Sequence, residues 1–156
     1  MEASALLLHM CASKSFQQIA DLFLNKLEMV VKNTHTFRIC ELEFYYFSVD
    51  HPDEYAQRSP THLQWQIFYF HHYNNGTYKA GTYKGMGVAL GSEADSTYFS
   101  LFIRSLLDKS TGQFIEGPCR CANKVLELHG MTGAKQLLPN REPLPCFRPK
   151  IGRAHV

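Results

Sequence analysis

Glu41, Glu43 and Tyr45 alternate within the segment FRICELEFYYF (37–47), and a single cation, Arg104, interrupts the apolar run YFSLFIRSLL (98–107). A carboxylate kept from bulk water can take a proton from a water molecule, and a guanidinium beside it can hold both the carboxylate and the water. Aromatic rings around such a pair can stack on a planar ligand. Arg is seldom buried without a partner, so Arg104 is expected to meet Glu41 or Glu43 across a sheet. These residues alone support a pocket for a flat polar ligand, with hydrolysis as one chemistry open to it. A Glu–Arg pair of purely structural purpose fits them equally well.

If 37–47 is a strand, Ile39, Glu41, Glu43, Tyr45 and Phe47 point one way and Cys40, Leu42, Phe44 and Tyr46 the other. Leu42, Phe44 and Tyr46 would then face a core. Two carboxylates at i, i+2 repel and weaken a strand, so their face is either a polar pocket wall or the acidic solvent face of an edge strand.

Around this strand the pattern predicts a helix capped by Ser13 or Ser15 and running to about Val31, with Phe16, Ile19, Ala20, Phe23, Leu27, Val30 and Val31 as its apolar stripe. Residues 48–62, with Pro52 and Pro60, read as a loop. Alternation returns over 63–72, Asn74-Asn75-Gly76 signals a hairpin, and 77–84 reads as a short strand. The glycines around Met86–Leu90 mark a strand whose backbone is closely approached. Turns are expected at 92–97 and 109–112, then the strand 98–107, and a helix from Pro118 to about His129 closed by Gly130. The fold class is α+β (mixed α/β): one domain over 1–147, a mostly antiparallel curved sheet with an N-terminal and a C-terminal helix. Residues 148–156 are set apart as a tail, truncated or artefactual, because Ile151–Val156 back-translates into a common sequencing-adapter sequence.

With 156 residues, 45% hydrophobic and 13% aromatic, the chain can bury a core. A net charge of +2 permits nucleic-acid binding without requiring it. Five cysteines lack disulfide-framework spacing and indicate a reducing compartment. Cys119-Arg120-Cys121 is too tight for a zinc knuckle, and His71-His72 on a strand face opposite sides, so no metal site is expected. The apolar run at 5–8 is too short to span a bilayer and lacks a basic leader. The expected protein is an intracellular monomer without cofactor or membrane contact, nuclear if eukaryotic and otherwise cytoplasmic.

The order of these pieces resembles the alkyladenine (3-methyladenine) DNA glycosylase family. That family has an E-x-E-x-Y strand, a His-bearing loop, a Tyr-rich hairpin, an L-L-R-A strand and a G-P helix start. The counterparts are Glu41-Leu42-Glu43-Phe44-Tyr45, the loop from His51 to Arg58, the hairpin from Tyr69 to Tyr83, Phe102-Ile103-Arg104-Ser105, and Gly117-Pro118. The likeness runs from about Ile39 to Gly130 through short motifs whose shared order gives it weight. It looks nearest to a branch in which H-P-D and G-T-Y-K-G-M recur.

The resemblance implies a monofunctional hydrolase that flips an alkylated or deaminated purine out of double-stranded DNA and cleaves its N-glycosidic bond. Glu43 would activate water and Arg104 would position it. Tyr45 would stack on the base, in a pocket shared with Gln57, Met86, Gly87 and Glu41. Tyr73 or Tyr78 would fill the vacated gap, and Lys79, Lys84 and Arg58 would meet phosphates. Two family positions differ: Gln57 stands near the family's stacking His, with Tyr55 and His51 as substitutes, and Gly87 aligns with a purine-screening Asn. These departures leave room for a non-catalytic homologue that binds a nucleobase or nucleic acid. An interaction domain without a pocket is a third expectation.

Overall fold

The long antiparallel pair of β2 (His35–Phe47) and β5 (Tyr98–Asp108) forms the spine of a computed structural model that describes residues 9–13, 15–32, 34–48, 65–70, 85–130 and 146–150. Among these residues the sheet has seven strands. β3 (Trp65–Phe70), β4 (Met86–Leu90), β5, β2, β1 (Leu27–Val31) and β7 (Cys146–Pro149) follow one another, and β6 (Phe114–Glu116) pairs with β5. Since β2 occupies one edge of β5, β4 and β6 share the other, at 100–102 and 105–107 respectively. Every pairing is antiparallel, and the curled sheet with its few helices is one small α+β domain.

The helix expected to reach Val31 is shorter. α1 (Phe16–Asp21) gives way to a π-helical turn (Leu22–Lys26), and Leu27 to Val31 is strand. All five residues of LEMVV are buried, so a stripe compatible with a helix also fits a strand covered on both faces. β-branched Val30 and Val31 favour that outcome. Ser15 holds the N-cap position, yet its side chain makes no capping hydrogen bond. Its hydroxyl instead lies 3.0 Å from that of Ser13.

The sequence places Ile39 on the same strand face as Glu41, and the structure separates them. Ile39 pairs with Leu106, Glu41 with Ser105 and Leu42 with Ile103, which leaves Cys40 and Arg104 as extra residues in opposed irregularities. The extra residue at Cys40 changes the parity of β2. Phe37 and Ile39 before it and Tyr46 after it therefore all enter the core, with Leu42 and Phe44 packed against it. The carboxylates stay outside.

On the core side the Phe16 ring of α1 lies against Phe44, Tyr46 and Phe99 with ring centroids 5.8, 5.3 and 5.6 Å away. α2 (Pro118–Leu128) buries Cys121, Ala122, Val125 and Leu126. Pro118 is at its start and Gly130, at φ 71°, just past its end. Asp108 shapes the turn out of β5: its carboxylate accepts the Ser110 amide at 2.9 Å, and Gly112 adopts φ 75°. The turn at 92–97 and the strand at 86–90 lie where the sequence places them, whereas 49–64 and 71–84 lie outside the described residues.

The boundary drawn at 147 falls inside β7. Arg148 stands opposite Glu28 of β1, and the Lys150 amide donates to the Lys26 carbonyl at 2.8 Å. Glu28 is buried, and its carboxylate is shared between Lys109 and, at 3.5 Å, Arg148. Both cations keep part of their side chains in water, so truncating Glu28 leaves charges that can rehydrate while the carboxylate's hydrogen bonds are lost. Glu28→Ala is expected to lower the unfolding free energy by about 2 kcal/mol, read from urea denaturation. An unchanged urea midpoint would show that the cluster contributes nothing.

Candidate active site

The outer sheet face carries a row of residues at one level: Tyr69 pairs with Gly87, Gly87 with Phe102, and Phe102 with Glu43. Its next level holds Ala89, Ser100 and Tyr45. Arg104 follows Phe102 at the irregularity in β5. The apolar run predicts an Arg buried within its strand, and the displaced register instead leaves it partly open.

Arg104 Nη1 donates to Glu43 Oε1, and the Tyr45 hydroxyl donates to Glu43 Oε2 at 2.8 Å. Both oxygens of one carboxylate are therefore engaged by donors from different positions of the sheet. The Arg104 and Glu43 side chains are 42% and 37% exposed, so the pair is accessible and solvent weakens its attraction. Glu41 does not join it: its Oε1 accepts from the buried Ser105 hydroxyl at 3.0 Å. The two carboxylates, adjacent on one face, have separate partners, which relieves the repulsion that their spacing predicts.

Tyr45 is half buried. Burial, then the hydrogen bond to Glu43 and the charge of Glu43, push its phenol up to about 12, so the hydroxyl stays protonated and serves as a donor. Its ring meets Phe102 edge-on at 6.0 Å. Phe102 in turn needs the missing side chain of Gly85, where a Cβ would lie 2.2 Å from the Phe102 ring and 3.1 Å from Pro118. The start of α2 is tied to the same place, since the Gly117 amide donates to the Arg104 carbonyl at 3.0 Å. Gly117 has φ 104°, a conformation open to glycine, and it turns the chain from β6 into the helix. The acidic-aromatic strand, the strand cation and the Gly-Pro helix start thus meet.

Gly87 lies where backbones crowd: a Cβ there would be 2.2 Å from the Leu101 carbonyl oxygen and 3.0 Å from the Tyr69 hydroxyl. The expected close approach is real, and its cause is a carbonyl that cannot rotate away. Tyr69 is buried, which drives its phenol far above the ordinary value, and the nearby Ser100 hydroxyl offsets only part of that rise. Met86 does not line this face. It is fully buried in the core opposite Phe70, because neighbouring strand residues point to opposite sides. Gln57, Arg58, Tyr73, Tyr78, Lys79 and Lys84 lie outside the described residues, as do His51 and Tyr55.

Phe102, Ser100, Ser105 and Tyr69 have parts here that the residue pattern does not assign. Gly85 and Gly87 were the available signal, because strand glycines mark the approach of something bulky. Among the described residues no group of three or more His, Cys, Asp or Glu could hold a metal ion, and no helix is long and apolar enough to cross a membrane. An open groove of about 380 Å³ lies between β6 and α2, lined by Phe114, Glu116, Arg120 and Lys124 among others, and takes in none of the Glu43 cluster. A side chain at position 87 must displace the Leu101 carbonyl, so Gly87→Ala is expected to cost about 1–3 kcal/mol, read as a lower thermal midpoint. A midpoint equal to wild type would mean that the strands separate freely here.

No family model matches the chain, and no solved structure matches it. It is 38% identical over 133 residues to an uncharacterized protein of Acanthamoeba polyphaga mimivirus, a match that takes in 78% of this chain. The chain spans 61% of that relative's length.

Proposed function

We propose that the protein is a glycosylase-like hydrolase of the alkyladenine type, acting on alkylated or deaminated purines in double-stranded DNA. The observation that carries the proposal is the Glu43 carboxylate held between the Arg104 guanidinium and the Tyr45 phenol on an accessible, aromatic-lined face. In this reading the damaged purine leaves the base stack and lies against Tyr45. Glu43 accepts a proton from a water molecule as the water oxygen bonds to the sugar carbon and the carbon–nitrogen bond to the base breaks. The electron pair of the broken bond leaves with the base. Arg104 holds the carboxylate and the water in line, a task suited to a fixed guanidinium fork. The motif order across Glu41 to Pro118 supports this reading alongside the geometry.

The chemistry described needs no cofactor. The proposed partner is duplex DNA alone, met by a monomer inside the cell, in the nucleus of a eukaryote or otherwise in the cytoplasm.

One observation favours a second reading, a homologue that binds a nucleobase or nucleic acid without cleaving it. At Gly87 the Leu101 carbonyl occupies the space that the family's purine-screening Asn would need.

Duplex DNA containing hypoxanthine or 3-methyladenine separates the two. Wild type is expected to release the base, and Glu43→Gln to slow release by roughly 100-fold or more while DNA affinity is retained. Tight binding without release by either protein would select the binding module. Equal release by both would remove Glu43 from the reaction.

A further inference from the structure

The sequence gives Tyr45 one task, as a ring to lie against a flat ligand. The structure gives its other end a partner. Of the donors near Glu43, Arg104 takes Oε1 and the Tyr45 hydroxyl takes Oε2, from the same strand two residues away. A carboxylate held at one oxygen can still swing about its Cγ–Cδ bond, whereas one held at both has its plane fixed. The Tyr45 ring is itself restrained by Phe102, whose ring end lies against Gly85.

We propose that Tyr45 is a positioning residue for Glu43: its hydroxyl, acting opposite Arg104, fixes the carboxylate plane that faces the attacking water. This inference deepens the glycosylase-like reading and rests on it. Two further features agree. The phenol is pushed up to about 12, so it remains a donor across neutral and moderately alkaline pH. Glu41, the other carboxylate on this face, takes Ser105 as its donor and does not compete for the Tyr45 hydroxyl.

Two measurements on the intact chain test it. In single-turnover base release, Tyr45→Phe keeps the ring and loses the hydroxyl. It is expected to release base roughly 10- to 100-fold more slowly at unchanged DNA affinity, whereas Tyr45→Leu loses affinity as well. Wild-type rates in Tyr45→Phe would overturn the positioning role and leave the hydrolytic reading standing.

The second measurement needs no activity: ultraviolet titration of the phenol, assigned by its absence in Tyr45→Phe. In Glu43→Gln the midpoint is expected to fall below about 12 and stay above the ordinary 10, because burial persists when the carboxylate's charge is gone. An unmoved midpoint would overturn the pairing. If wild type releases no base from any substrate, the hydrolytic reading falls, and the titration decides by itself whether Tyr45 holds Glu43.

Discussion

The chain depends on one offset in the pairing of β2 with β5. A strand's side chains alternate strictly, so a regular β2 could not bury both Ile39 and Tyr46 while keeping the carboxylates between them in water. Cys40 and Arg104, each unmatched in the ladder, resolve that conflict. One displacement returns Leu42, Phe44 and Tyr46 to the core, and the other brings a guanidinium to the edge of the acidic face. Core formation and site formation are therefore a single event. Neither could be altered along this pair without disturbing the other.

What lies around the offset is mostly accommodation. Gly85 and Gly87 remove side chains so that Phe102 and Tyr69 can fill the outer face, and Gly117 bends the chain so that α2 begins against the Arg104 carbonyl. The aromatic share that stands out in the composition is divided between two tasks. Phe16, Phe44, Tyr46 and Phe99 form a cluster on one side of the sheet, whereas buried Tyr69 and Phe102 and half-buried Tyr45 lie on the other. Rings packed in this way hold the exposed part of Tyr45 in a narrow range of rotamers.

Much of this was legible in the linear pattern. The alternation in 37–47 and the one cation in the apolar run were enough to expect Arg104 beside Glu41 or Glu43; the choice of Glu43 and the tie to Gly117 come from side-chain and backbone geometry. Two things were not legible. LEMVV satisfies a helical stripe and a doubly covered strand equally, and only its pairing with β2 and β7 decides. Met86 and Ile39 were assigned faces by simple parity or by analogy, and faces depend on register, which is a property of two strands together. Local composition carries no record of an unmatched residue.

β7 completes the far edge of the sheet from very late in the described chain, and its Arg148 helps satisfy a carboxylate on β1. During synthesis, therefore, β1 emerges long before its outer neighbour exists. Until residues 146–149 leave the ribosome, that edge offers unpaired amides and carbonyls, with a half-neutralised acid among apolar side chains. The nascent protein must pass through an interval in which a strand that ends up buried along its whole length is open on one side. That interval, more than the finished fold, is where a chaperone would have something to hold.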